Sequence, residues 1–166
     1  MKNRHKKLLQ LLEKSGAEIY RLLTKLTLRQ DVAEELMQEL FIKLNNSNDL
    51  NDVKNLSAYA RRAAINLAFD WRRRQKRNHL GLNRLQEQAS NENSPLAKMV
   101  QTEELKQILE TIGQLNKTHR EVLVMRYIEE QSTDDIAEQL HKSPHQVRAL
   151  CSKALGHIRN IIDSNR

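Results

Sequence analysis

At 166 residues the chain has room for one ordinary domain or two small ones, and four glycines, two prolines and six aromatics leave it poor in turn residues and large side chains. Leu, Ala, Glu, Lys, Arg and Gln dominate, which favours helices with small aliphatic cores and leaves no alternating β-branched runs for a sheet. A single cysteine excludes an internal disulfide, and the net charge of +7 is focused, because residues 61–84 hold 8 basic side chains and 1 acidic one while the flanking segments are near balance.

The first stretch, "MKNRHKKLLQLLEKSG", begins basic and then turns to leucine, as a signal peptide does. Gln10, Glu13 and Lys14 break its apolar run and no small-residue cleavage site follows, so a soluble intracellular protein is expected. No run approaches the ~18–20 apolar residues of a membrane span. A first helix is expected from about Lys7 to Leu28. The second, "RQDVAEELMQELFIKL", is sharply amphipathic: Val32, Ala33, Leu36, Met37, Leu40 and Leu44 share one side, and Asp31, Glu34, Glu35, Gln38 and Glu39 the other. "NNSNDLNDVKN" reads as a polar loop.

The third helix contains "YARRAAINLAFDWRRRQKR", residues 59–77, where three of the six aromatics meet the densest positive charge. Wound at ~100° per residue, Tyr59, Ala60, Ala63, Ala64, Leu67, Ala68 and Trp71 form a small-residue seam. Arg61, Arg62, Arg72 and Arg73 lie opposite, with Ile65, Asn66 and Phe69 among them. Guanidinium groups beside flat or apolar ones suit phosphates and unstacked bases together. The competing reading packs Ile65 and Phe69 beneath a neighbouring helix of the same domain. After this helix, "QEQASNENSP" lacks apolar periodicity and reads as a linker.

The second half restarts at Ser94-Pro95, with helices expected to about Ile112 and from about Thr118 to Glu129. Ser132 with Asp135 reads as an N-cap, and Ser143-Pro144 with Gln146 as a capping box. Two helix starts eleven residues apart, joined by "HKS", have the spacing of a helix-turn-helix. With Val147, Leu150, Cys151, Ala154 and Ile158 inward, His145, Arg148, Ala149 and Ser152 turn outward with Lys153 at the margin, a set suited to a DNA major groove. The fold class expected is all-α: two small helical domains joined by a flexible linker, the second a four-helix, winged-helix-like helix-turn-helix domain. The boundaries are 1–78, 79–94 and 95–166.

These residues resemble the sigma-70 family of bacterial RNA polymerase sigma factors, in its extracytoplasmic-function type. "DVAEELMQELFIKL" is similar to that family's Asp-Ala-Glu-Asp-Leu-Val-Gln-Glu-Val-Phe pattern. "AYARRAAINLAFDWRRR" is similar to its Trp-Leu-x-x-Ile-Ala-x-Asn-x-x-x-Asp segment, with Asn66 and Asp70 in register, and "LNKTHREVLVMRYIEEQSTDDIAEQLHKSPHQVRALCSKAL" resembles its fourth region. The resemblance implies that Asp31, Glu35, Gln38 and Glu39 dock on a coiled coil of the polymerase's largest subunit. It places Arg62, Asn66, Phe69 and Arg73, with the loop from Asn45 to Asn55, at the melted −10 element. It places His145, Arg148, Ala149, Ser152 and Lys153 at the −35 element, with the fourth region on the flap of the second-largest subunit. The linker would enter the active-site cleft, and an anti-sigma factor is an implied partner. Tyr59 stands for the family's tryptophan, His145-Gln146 for a Gly-Thr pair and Ala149 for a serine; the last two bear on which −35 sequence is read.

The implied function is promoter recognition, melting and transcription initiation in the bacterial cytoplasm. The runner-up is a stand-alone helix-turn-helix regulator of duplex DNA, which accounts for the second half only. An enzyme has little support, since there is no glycine-rich phosphate loop and no paired metal ligands on one helix. His141, His145, Cys151 and His157 straddle the turn and read as surface histidines and a packed thiol, so no metal or cofactor is expected.

Overall fold

The computed structural model describes the backbone of residues 2–81 and 96–166 and the side chains of residues 3–78 and 103–166. Helix α1 (Lys2–Thr27) turns into α2 (Gln30–Asn46) through Leu28, whose φ of 62° lies in the left-handed region. Thr27 holds that reversal: its hydroxyl donates to the Leu23 carbonyl at 2.7 Å and accepts from the Arg29 amide at 3.4 Å. The polar loop expected after α2 contains a short 3₁₀ turn (Asn48–Asn51), capped by Ser47 and pinned inward by buried Leu50.

Helix α3 (Leu56–Gly81) packs on both α1 and α2. Ala60, Ala64 and Ala68 are fully buried in its seam and admit close approach to Leu23, Leu26, Leu36, Leu40 and Leu44. Each such leucine contributes roughly 1.5–3 kcal/mol on full burial. The small-residue seam therefore does what its spacing predicts, and at its margins Arg61 and Arg72 reach back to Glu18 and the Leu26 carbonyl of α1.

The second half comprises α4 (Leu96–Gly113), α5 (Lys117–Leu123), α6 (Thr133–Leu140) and α7 (Pro144–Ser164). Asn116 caps α5 by accepting from the His119 amide at 2.9 Å. The helix then widens into a π-helical turn, Val124–Ile128, closed by the Glu129 amide on the Val124 carbonyl at 2.9 Å. Leu109, Ile112, Val122, Leu123, Met125, Ile136, Val147 and Ala154 form its core.

One boundary and one label differ from expectation. α3 continues to Gly81, three residues into the span read as linker; the rest of that span and the Ser94-Pro95 start lie outside the described residues. There is no strand among the described residues, so the winged-helix-like label is corrected to a plain helical domain. α7 runs on as one helix to Ser164.

Candidate nucleic-acid and partner interfaces

The helix-turn-helix forms as its local chemistry dictates. Ser132 caps α6 by accepting from the Asp135 amide at 3.1 Å. His141 ends α6 in the left-handed conformation at φ 56°, and the chain then enters α7. Ser143 and Gln146 close a reciprocal box: the Ser143 hydroxyl accepts from the Gln146 amide at 3.1 Å, and Gln146 Oε1 accepts from the Ser143 amide at 2.9 Å. Val147, Cys151 and Ala154 are buried against the domain, Leu150 and Ile158 half-buried. His145, Arg148, Ala149, Ser152 and Lys153 are all exposed on the other side. Burial pushes the Cys151 thiol up, against a smaller opposing effect of Arg126. His119 is held below its ordinary value by burial first, then by His157, whose ring lies 5.3 Å away, and by Lys153.

On α2, Asp31, Glu34, Glu35, Gln38 and Glu39 are exposed. Asp31 is engaged by its neighbour, accepting from Arg29 Nη2 at 2.6 Å and Nε at 3.2 Å, and this pairing lowers its pKa. The charge open to a partner is therefore centred on Glu34, Glu35 and Glu39.

The basic side of α3 is not an open surface. Ile65 and Phe69 are fully buried, and α3 touches α4 and α5 of the second half. The reading of Phe69 as a base contact is thus corrected in this arrangement. Gly113 of α4 packs beside its ring, where an added Cβ would stand 3.4 Å away, in van der Waals contact, and the Arg120 guanidinium lies 5.6 Å from the ring centroid. The packing alternative holds in substance, but part of the cover comes from the other half of the chain.

Asn66 is clasped across the same seam. Arg120 Nη2 donates to its Oδ1 at 3.0 Å, while Asn66 Nδ2 donates to Glu121 Oε1 at 3.0 Å and to the Arg62 carbonyl at 2.9 Å. Arg61 pairs with Glu18 and lies 3.9 Å from Glu129. Arg73 pairs with Asp70, and Arg72 Nε donates to the Leu26 carbonyl at 2.9 Å, a structural tie between α3 and α1. Burial lowers the pKa of Arg72 and Arg120 and raises that of Glu129. Half-buried Arg62 and Asn66 line a cleft of about 660 Å³ with Lys43, Tyr59, Lys117 and Glu121.

Sequence reasoning missed Arg120, Glu121 and Glu129. For Arg120 and Glu121 the only local signal was a pair of opposite charges heading the otherwise apolar run "REVLVM"; Glu129 had none. Among the described residues no helix is long and apolar enough to cross a membrane, and no three His, Cys, Asp or Glu side chains group as metal ligands.

Comparison with known proteins gives two family matches, Sigma-70 region 2 over residues 11–78 and Sigma-70, region 4 over residues 105–158. No curated protein matches the chain significantly. Among solved structures it is similar to CnrH in complex with the cytosolic domain of CnrY, at 19% identity and TM-score 0.51, over 95% of this chain and 88% of that one. A second is the sigma factor RpoE from Bartonella quintana, in complex with the anti-sigma factor NepR, at 16% identity and TM-score 0.47, with both chains fully covered. The first likeness speaks for the fold. The match over residues 11–78 sets aside the stand-alone regulator, which gave the first half no purpose. With both regions present, in order, over most of its length, the chain belongs to the sigma-70 family and is a sigma factor, directing RNA polymerase to promoters and initiating transcription.

Proposed function

We propose the following division of labour for this sigma factor, of the extracytoplasmic-function type and acting in the bacterial cytoplasm. Residues 1–78 form the polymerase-docking and −10 unit, 79–94 the core of the linker, and 95–166 the −35 unit. Glu35, Gln38 and Glu39, with Asp31 at the margin, dock on the coiled coil of the largest subunit. Arg62, Asn66 and Arg73 meet the melted −10 strand, with Lys43 and Tyr59 lining the approach. Phe69 is left out because its ring is buried. His145, Arg148, Ala149, Ser152 and Lys153 meet the −35 duplex, where Arg148 has the reach for a bidentate guanine contact. The fourth region sits on the flap, and an anti-sigma factor regulates the whole.

The observation that carries this assignment is the common exposure of those five α7 residues along the first turns of a firmly capped helix. That is the part of a recognition helix that enters the groove. The test is selection of promoters from a random DNA pool by the chain assembled with core RNA polymerase. Two separated elements should emerge. Arg148→Ala should relax the upstream one at a single position by ~1–3 kcal/mol, and Asn66→Ala should affect only the downstream one. An unchanged upstream element would refute the role of Arg148.

A further inference from the structure

One polar cavity lies apart from the faces assigned above. It opens between α5 and the last turns of α7, holds about 360 Å³, and is lined chiefly by Gln114, Asn116, His119, His157, Asn160 and Ser164. No carboxylate is among its lining residues. A cation would find no counter-charge there, whereas an anion would meet imidazole, carboxamide and hydroxyl donors.

His119 is set into the wall of this cavity. It is 8% exposed, and its Nδ1 faces Asn116 Nδ2 at 3.3 Å. Asn116 Oδ1 accepts from the His119 amide at 2.9 Å, which fixes the carboxamide nitrogen toward the ring, so Nδ1 accepts from it. The ring proton of neutral His119 then sits on Nε2, and no described residue accepts from it. The exposed His157 ring stands 5.3 Å away, centroid to centroid. The low pKa of His119 comes from burial first, then from His157 and Lys153. These groups crowd one another, and an anion between them would relieve the crowding.

Position on α7 selects the anion. Lys153, His157, Asn160 and Ser164 follow at intervals of four, three and four residues, so they form one flank of the recognition helix. Lys153 is the margin of the −35 set, and the cavity begins one turn beyond it on the same flank. A helix seated in a major groove about 12 Å wide is walled by phosphates on either side. The C-terminal end of a recognition helix meets that backbone in the homeodomain.

We infer that the cavity between α5 and α7 is a phosphate seat for the −35 duplex. The His119 Nε2–H and His157, with Asn160 beside them, hold one backbone phosphate and set how deeply α7 enters the groove, without reading sequence. The seat rests on the −35 assignment of α7, and the test separates the two. Full-length chain is assembled with core RNA polymerase. Binding is measured to a duplex carrying the upstream element recovered by promoter selection, and to one with that element scrambled. His157 and Asn160 are exposed, so replacing them spares the core; His119 is left in place because its burial would mix binding with folding.

His157→Ala should weaken both duplexes by about three- to tenfold, the loss of one phosphate contact. His157→Glu, which sets a carboxylate against the phosphate, should weaken them further. Asn160→Arg should tighten both and steepen the log–log salt dependence by about 0.9, one counterion. Gln107→Arg, the same charge added on exposed α4, should do neither. Arg148→Ala should weaken the selected duplex only. If it does and the His157 variants bind as wild type, the seat is overturned and the −35 assignment stands. If Arg148→Ala changes nothing, the assignment falls and the seat with it. A His157 effect confined to one base position, or equal gains from Asn160→Arg and Gln107→Arg, would also overturn the seat. So would loss of assembly with core polymerase before DNA is added, which would give the cavity to an acidic protein segment.

Discussion

Removing the Ser143 hydroxyl tests how far a local cap controls the DNA-reading surface. In Ser143→Ala the Gln146 amide loses its 3.1 Å acceptor, while the reciprocal bond from the Ser143 amide to Gln146 Oε1 at 2.9 Å remains possible. Both residues are exposed, so water takes up the freed amide and the loss belongs at about 1 kcal/mol rather than at the penalty of a buried orphan. Pro144 still fixes the first turn, which argues against a larger effect. His145 and Arg148 ride on that turn, so −35 binding should weaken by about fivefold if its ordering supplies the contact geometry, 1.4 kcal/mol being tenfold. The assays are urea denaturation followed by circular dichroism, and holoenzyme binding to a −35 duplex. Ser143→Thr should restore both. Ser143→Asp should restore stability alone, because it sets a negative charge beside the phosphates. Unchanged stability in Ser143→Ala, or failure of threonine to rescue, would refute the reasoning.

Glu129 carries a carboxyl raised above 4.5 chiefly by burial, with Glu18 adding to it and Gln131, Arg61 and Lys25 opposing. The folded state therefore holds the proton more tightly than the unfolded chain. Its contribution is fully present below the unfolded value and fades as pH rises through the raised one. Urea midpoints measured from pH 4 upward should fall less in Glu129→Gln than in wild type, and equal slopes would exclude Glu129 as the source. Phe69→Ala should cost about 3–5 kcal/mol, as for any fully buried aromatic, and would read near 1 in the same denaturation if the ring were exposed in solution. Cys151, buried and with its thiol pushed up, should react slowly with iodoacetamide in the native protein and quickly in urea; fast native labelling would show that α7 is not packed as described.

The features legible in the sequence were those whose cause is local. Ser132 with Asp135 and Ser143 with Gln146 are three residues apart, so capping could be read directly and both caps form. The α2 stripe follows helical period, and Val32, Ala33, Leu36, Leu40 and Leu44 are all buried. The seam between the halves was illegible for the opposite reason. Asn66 finds Arg120 and Glu121 at separations of 54 and 55 residues, and no period or spacing links them. The arginine face of α3 showed only that something polar must meet it. Phosphate satisfies that requirement, and so do Glu18, Glu129 and the Leu26 carbonyl.

The most direct test of the account is co-elution of the purified chain with bacterial core RNA polymerase, beside a Glu35→Lys/Glu39→Lys variant. Both side chains are exposed on α2, so the exchange leaves the core of the helix untouched. The account predicts a stable complex with wild type, lost in the variant while its circular dichroism is unchanged. Co-elution that survives the double charge reversal would contradict the docking face, and absence of any complex with wild type would contradict the function itself.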